Sequence, residues 1–482
     1  MTSMTQQADN DNGYRAQDLL GAAQAAFCRL LDAQVGTEAD FATRERAGLE
    51  LGNALCRADQ QQALEQRSAQ FTTHELEIDG KRYRRHSRVL TTGLYHGLCG
   101  TFPVKRALYR EVGIVNGPTV VPLELDAGLM ERATPGLAYA LAEGYAQSPS
   151  RQAHEAMHTL LRLPPSRSTT ERIAKGLGEA MGAGLRRIEG AVRATERLPQ
   201  GACALSVGLD RTSVPMEEPA GPDKKSVMRT SPRVRKALPP VEVNYRMSYV
   251  GTFSVVDADG RALVTRRYGI SGSMDPIEVV ESLRADVEHA LAQRDDLPVG
   301  IVQDGAPEMW NLMRDCLAGV PALHAWHEAI DRHHVLERLS EALQLAGLTR
   351  NWCQIQLQRW NHALDADDGA IDAIEVEICN YRDGLRGDAR RKLSDHVTYL
   401  ENNKDRMRYA RLRTMGLPVG SGATEGACKS LVMTRAKRCG QRWHEDGIDA
   451  VLLLRGLLMS ERLPAAFDLL RRDYMAIVRP AA

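Results

Sequence analysis

Apolar positions change their spacing several times along the chain, and each change marks an element. From Ala16 to Gln70 they recur at helical spacing, and "AQDLLGAAQAAFCRLLDAQ" predicts a helix with one apolar face. Residues 1–15 ahead of it are polar and predict a disordered tail. In "HELEIDGKRYRRHSRVL" the pattern alternates around Asp79-Gly80, which predicts a β-hairpin rich in Arg and Lys. Residues 16–120 therefore read as a helical and β-hairpin module. Helical spacing resumes near Leu129, and residues 121–198 read as a helical domain with a helix-turn-helix. Ser150 caps a first helix over about Arg151–Arg162, "LPPSR" breaks it, and Ser168 or Thr169 caps a second helix that runs past Lys175.

The texture changes at Pro199. "GACALSVGLDRTSVPM" holds an apolar run ending in Asp210, followed by a Pro-rich basic loop from Lys224 to Lys236. Two strands joined at Asp259-Gly260 come next, then the amphipathic helix "DPIEVVESLRADVEHALAQ". "LPVGIVQD" is a short buried strand ending at Asp304, and "VPALHAWHEAIDRHHVLERLSEAL" gives a strand and then a helix. Residues 199–346 thus follow the order β-β-β-α-β-α-β, the first part of an α/β core with a five-stranded sheet. Residues 347–415 read as a polar helical insertion, and 416–482 as a glycine loop followed by the C-terminal helices of the core.

At 482 residues the chain is too long for one core, so several domains are expected. Aromatic residues are only 5%, so the cores must lean on Leu, Val, Ala and Met. A net charge of zero argues against a protein that simply coats nucleic acid, although the bases cluster locally. The longest apolar run, Val451–Met459, is broken by Arg455, and the N-terminus has no signal-peptide pattern, so a cytoplasmic protein is expected. Nine cysteines without a Cys-x-x-Cys pair argue against a zinc ribbon or a disulfide framework; they read as reduced, mostly buried thiols.

Asp210 and Asp304 each end a strand, and Glu425 in "GATEG" heads a helix. Strand ends share an edge of a sheet, where open α/β folds build sites. Three carboxylates meeting there cannot all stay ionised without a cation. Two Mg²⁺ ions, or Mn²⁺ in their place, answer that need and suit phosphoryl chemistry. Taken singly, each Asp reads more readily as a turn residue or helix cap; together, each in its element and order, they point to the metal site. Five bases follow Glu425: Lys429, Arg435, Lys437, Arg438 and Arg442. Behind a helix N-terminus they predict contacts to a DNA backbone, or else a solvated charged face. Thr169, Thr170, Arg172 and Lys175 on the second helix of the helix-turn-helix are candidate groove contacts; a plain helical hairpin without DNA contact stays open. The basic loop reads equally as a segment that folds on DNA or as a solubilising linker. His327, Asp331 and His334, at i, i+4 and i+7, would share a helical face as a zinc site or, more commonly, a hydrogen-bonded cluster. Trp310 and Trp443 read as core anchors rather than base-stacking residues. Ser421 and the cysteines show no partnered base, which leaves a covalent hydrolase unsupported.

The segments "VGLDRTSVPME", "VQDGA", "IDRHHVLERL" and "PVGSGATEGACKSLVMTRAKRCGQRW" together resemble DDE-type transposases of bacterial insertion sequences, and look most like the ISKra group. The resemblance covers about residues 120–460, with Pro418 to Trp443 its most specific part. It implies an RNase H-like catalytic core with a mixed five-stranded sheet, interrupted by a helical insertion and preceded by a mostly helical DNA-binding region. Asp210, Asp304 and Glu425 would be the acidic triad holding two Mg²⁺. Asp331 and His334 would be the Asp-x-x-His of some such enzymes, with His334 at the catalytic centre and Asp331 behind it. Arg211 stands where related enzymes often carry Gly, and would bind a phosphate or mark decayed activity. The implied function is binding of terminal inverted repeats in double-stranded DNA, then cleavage and strand transfer by a homodimer or larger assembly at the bacterial nucleoid. A catalytically inactive DNA-binding repressor or domesticated remnant is the alternative, and a nuclease that cuts without joining is a third reading.

Overall fold

A computed structural model describes residues 20–160, 162–221, 240–271, 275–304, 306–438, 440–476 and 478–480. The expected tail over residues 1–15 and the basic loop Lys224–Lys236 lie outside the described residues. The chain forms two compact units, one of residues 1–141, 150–173 and 471–482, the other of 142–149 and 174–470.

The first unit starts with helices over 20–35 and Phe41–Ser68; Asp40 caps the second by accepting from Thr43 N at 3.0 Å. The Asp79-Gly80 hairpin is present. Glu75–Ile78 pairs with Lys81–Arg85, and both turn residues have positive φ, 49° and 71°, the conformation a two-residue Asp-Gly turn requires. It belongs to a five-stranded sheet in the order Val478–Pro480, Glu75–Ile78, Lys81–Arg85, Tyr109–Glu111, Thr119–Val120. A second hairpin pairs Thr91–Gly97 with Gly100–Arg106, where buried Phe102 and Val104 alternate with exposed Thr101 and Pro103. The strand Val478–Pro480 pairs with Glu75–Ile78, so the end of the chain, expected among the C-terminal core helices, lies in this sheet instead. Two helices form where the helix-turn-helix was read, Ser150–Thr159 and Arg167–Ala183. The second starts ahead of the expected cap, with Ser166 Oγ accepting from Thr169 N at 3.4 Å.

The second unit holds a mixed five-stranded sheet, whose elements are numbered here: β1 Ala204–Pro219, β2 Val241–Val256, β3 Ala262–Ile270, β4 Val299–Gln303 and β5 His327–Ile330. The spatial order is β5-β4-β1-β2-β3. β1, β2 and β3 are antiparallel neighbours, while β4 runs parallel to both β1 and β5. Every residue of β4 is buried, as suits a central parallel strand. α1 (Ile277–Gln293) covers the sheet with Val279, Val280, Leu283 and Val287; α2 (Pro307–Ala318) and α3 (Arg332–Leu345) follow β4 and β5. The insertion forms α4 (Arg350–Ala366), α5 (Ala370–Asp383) and α6 (Gly387–Asn403). Its Trp360, Ile374, Val397 and Leu400 continue the apolar core of the sheet. α7 (Gly422–Ala427) leads through a π-helical turn over Cys428–Met433 toward α8 (Glu445–Met459).

One expected boundary moves. β1 does not end at Asp210 but runs on to Pro219, paired with β2 throughout. The reason is burial: Val214 and Met216 pack in a cluster with Trp443 and Leu431, so the ribbon beyond Asp210 has an apolar face of its own. Only Leu205–Val207 of β1 pair with β4.

Candidate active site

β1, β4 and β5 are parallel neighbours, and each carries an aspartate at one level. Counted on from Ile301↔Val207, the register sets Asp304 at the position of Asp210. Counted on from Gln303↔Ile330, it sets Asp331 at the position of Asp304, and Asp331 N donates to the Gln303 carbonyl at 3.0 Å. Neighbouring strands lie about 4.8 Å apart, so these are adjacent columns of one sheet.

α7 lies against this row. Thr424 Oγ1 is 2.7 Å from Thr252 Oγ1 on β2. A Cβ on Gly208 would overlap Thr424 Oγ1 and stand 2.9 Å from the Val302 carbonyl oxygen. Gly208 and Asp210 share a face of β1, so α7 sits on the Asp210 face, and Glu425 is the residue after Thr424. The segments bearing Asp210, Asp304 and Glu425 thus meet around a glycine that a side chain would force apart.

The closest grouping of ligand atoms is a different one. One atom each from Asp331, His334 and Glu425 lie within 4.8 Å of one another. Asp210 and Asp304 are not part of that group. Asp331 is buried at the head of α3, where its Oδ1 accepts from His333 N at 2.6 Å and His334 N at 3.1 Å. Its Oδ2 accepts from Ser421 N, and from Ser421 Oγ at 2.6 Å; that hydroxyl is also 3.1 Å from Glu425 Oε1. Burial pushes the Asp331 carboxyl up, but the Ser421 and His334 interactions outweigh it and hold the group below its ordinary value. His334 Nδ1 lies 3.6 Å from Asp331 Oδ1 and 4.0 Å from Glu425 Oε1 and is buried without a hydrogen-bond partner among the described residues. This donor set, two carboxylates and an unpartnered imidazole nitrogen, fits a divalent cation. His327 does not join it. "HEAI" is strand β5, not helix, so the proposed helical face through His327, Asp331 and His334 does not exist. Burial, then Arg411, lower the His327 pKa.

Asp210 Oδ1 accepts from Arg211 N at 2.7 Å, and its Oδ2 accepts from Cys428 Sγ at 3.3 Å. Burial, and then the Asp210 charge, push the Cys428 thiol up, which keeps it a protonated donor. Cys428, one turn after Glu425, went unnoticed in the sequence; its place on the Glu425 face was the available signal. Asp304 Oδ1 accepts from Ala306 N at 3.1 Å. Arg211 pairs with Glu308 at the start of α2, at 2.6 Å, linking the segments that follow Asp210 and Asp304.

The basic residues divide. Lys429 is exposed, with its Nζ 3.6 Å from Glu425 Oε2. Lys437 Nζ donates to Thr212 Oγ1 at 2.9 Å, on the strand that carries Asp210. Arg438 and Arg442 are exposed, Arg442 at 4.0 Å from Glu217. Arg435 is not a backbone contact: it is 2% exposed, donates to the Tyr145 carbonyl at 3.2 Å and stacks on Trp443 at 4.8 Å. Burial lowers its pKa to about 10. The groove-contact set also contracts. Thr170 is fully buried and faces the Pro165 carbonyl. Arg172 is paired with Glu131, and Lys175 lies 3.6 Å from Glu179 and 3.5 Å from Asp446. Thr169 is half-buried, its hydroxyl 3.0 Å from Ser166 Oγ. Trp310 and Trp443 are buried, as expected of core anchors. Of the cysteines, Cys99, Cys353 and Cys428 are buried and Cys56 is exposed; the rest of the described ones are half-buried, so "mostly buried" was too strong. No described helix is long and apolar enough to cross a membrane.

No family model matches the chain, and no curated protein matches it. Among solved structures, the Drosophila P element transposase strand transfer complex is similar at 11% identity and a TM-score of 0.23, covering 70% of this chain and 80% of that chain. A TM-score of that size carries no argument about this protein.

Proposed function

We propose that this chain is a DNA transposase of the DDE type that cleaves and joins phosphodiester bonds. The observation that carries this reading is the meeting of the Asp210, Asp304 and Glu425 segments around Gly208, beside Asp331 and His334. The order β5-β4-β1-β2-β3, with three antiparallel and then two parallel strands, supports an RNase H-like core. A divalent cation such as Mg²⁺ or Mn²⁺ would supply neutralisation of phosphate charge and activation of an attacking oxygen; Glu425, Asp331 and His334 have the ligand atoms close enough together to hold one, and Asp210 and Asp304 would be the further carboxylates of the proposed triad. Oxygen donors suit Mg²⁺, while the His334 nitrogen shifts the preference toward Mn²⁺.

The chain's own residues then have distinct tasks. Asp331 fixes Ser421 and the start of α3, and thereby holds Glu425 and His334 in place. Cys428 orients the Asp210 carboxylate. Exposed Lys429, Arg438 and Arg442 provide sequence-blind contacts to DNA phosphates. Arg211, the one feature that favoured an inactive remnant, pairs with Glu308 at the start of α2.

The test is cleavage of labelled duplexes taken from the DNA on either side of the gene, with Mg²⁺ or Mn²⁺, using wild type and Glu425→Gln. Cut strands ending in a 3′-hydroxyl and joined products, both lost in the variant while binding persists, are expected. Binding without cutting by the wild type would refute catalysis, and cutting without joining would reduce the activity to that of a nuclease.

A further inference from the structure

The insertion builds a second feature beside Asp304. A groove of about 570 Å³ runs between α2, α3 and α6; its lining includes Asn311, Arg338, Tyr399, Asn402 and Arg406, with Asp395 its one carboxylate. Its cations are not equivalent. Arg406 donates to Glu328 at 2.7 Å and covers the buried Trp310 ring at 4.6 Å, so it serves the wall. Arg338 Cζ lies over the Tyr399 ring, 3.9 Å from its centroid, with no carboxylate at ion-pairing distance among the described residues. An arginine stacked on a tyrosine keeps its outer face and its N–H edge for a ligand. Asn311, Thr398 and Asn402 are exposed and add neutral donors and acceptors. Trp310, in the wall of the groove, donates from Nε1 to the Asp304 carbonyl at 2.8 Å, so the groove adjoins that strand end.

A stacking plate, a cationic edge and amide groups side by side have the chemistry of a site for a base and its phosphate. A groove of this volume takes a nucleotide or two and no duplex. We infer that the insertion groove binds an unpaired DNA strand next to Asp304, with Arg338 as the residue that positions it. The choice of DNA rests on the transposase reading; the groove chemistry does not.

The test uses the full chain in EDTA and the anisotropy of a fluorescein-labelled oligothymidylate of about 12 nucleotides, measured across salt concentrations. Arg338→Ala is expected to weaken binding about tenfold and to lower the slope of log affinity against log salt by about 0.7. Asn402→Asp, which puts a charge into the groove at an exposed position, weakens it similarly. Arg391→Ala removes an arginine from the same helix α6, one paired with Asp388 at 2.6 Å, and leaves binding unchanged. The inference is overturned if the wild type does not bind the strand, if Arg338→Ala and Asn402→Asp bind normally, or if Arg391→Ala costs as much as Arg338→Ala. Displacement of the strand by ATP at micromolar concentration would overturn it too, in favour of a free nucleotide. Because this assay contains no metal, it is independent of the cleavage test: strand binding in EDTA together with no cleavage in Mg²⁺ or Mn²⁺ supports the groove while sinking the catalytic reading, and cleavage in Mg²⁺ or Mn²⁺ without groove binding in EDTA does the reverse.

Discussion

Asp331 does more with one carboxylate than any other residue of the site. It caps α3, accepts from both the amide and hydroxyl of Ser421, and stands 3.6 Å from His334. Asp331→Ala removes a cap and leaves the buried Ser421 amide without its acceptor, the Ser421 hydroxyl keeping Glu425, so it should cost about 2–3 kcal/mol in urea unfolding. The pH dependence has a definite sign. The folded carboxyl sits below its unfolded value of about 3.9, so its contribution is complete above that pH and is lost as pH falls through the lower folded value. Asp331→Asn should therefore flatten the fall of stability in that acid window and change nothing near neutrality in its slope. Arg435 tests the opposite kind of assignment. Arg435→Ala should destabilise by about 3 kcal/mol, because the Tyr145 carbonyl loses its donor and Trp443 its stacking partner. The salt slope of DNA binding by the folded variant should stay as in wild type, whereas Lys429→Ala should lower it by about one. A lowered slope in Arg435→Ala would put this residue back on DNA. The burial of Arg435 was legible in one respect: with Leu431, Val432 and Ala436 it lies on one helical face, and only its charge said surface. Thr170 repeats the case, sharing a face with Ile173, Ala174 and Leu177, all buried.

Between elements, the decisive contact is that of α7 on β1. Gly208→Ala should move α7 away from the sheet, since its Cβ meets Thr424 and the Val302 carbonyl at once. A displacement near 1 Å at a reacting centre costs about 100-fold in rate, so cleavage should fall by that order while the circular dichroism of the fold persists. Adding Thr424→Ala should recover part of the loss, because the overlap with Oγ1 disappears. Equal cleavage by wild type and Gly208→Ala would show that α7 needs no such seat. The elements themselves were readable. The order β-β-β-α-β-α-β, the Asp-Gly turns and the all-helical insertion follow from spacing and turn chemistry, and they are what bring Asp304 and Glu425 to the Asp210 column. Two things were not readable. The extension of β1 to Pro219 depends on a partner, Trp443, more than 200 residues away. The membership of Asp331 in the aspartate row depends on the pairing of β5 with β4, which reading a strand and then a helix there did not supply.

At the scale of the larger unit, the core must hold its own layers in place, and a buried charge network does this. Asp286 on α1 accepts from Arg193 Nε at 2.7 Å, from Arg462 at 2.9 Å and from the Tyr268 hydroxyl of β3. Arg462 also reaches Glu196 at 2.7 Å. The network therefore joins the helix Leu185–Thr195, α1, β3 and the turn after α8, four segments far apart in sequence. Desolvation pushes the Asp286 carboxyl up, but Arg462 and Arg193 together bring it below its ordinary value. Such a network adds little over an apolar core when intact and costs much when broken, because a removed partner leaves buried charge behind. Asp286→Ala strands two arginines and should lose about 3–5 kcal/mol in urea unfolding. If Arg193→Leu is then added, one stranded charge is gone, and the double variant should be less destabilised than the sum of the two single variants. Additive costs would mean that the arginines are satisfied independently, Arg193 by Glu189 at 3.7 Å and Arg462 by Glu196. In that case the layers are held by apolar packing alone, and the network is a consequence of the fold rather than one of its constraints.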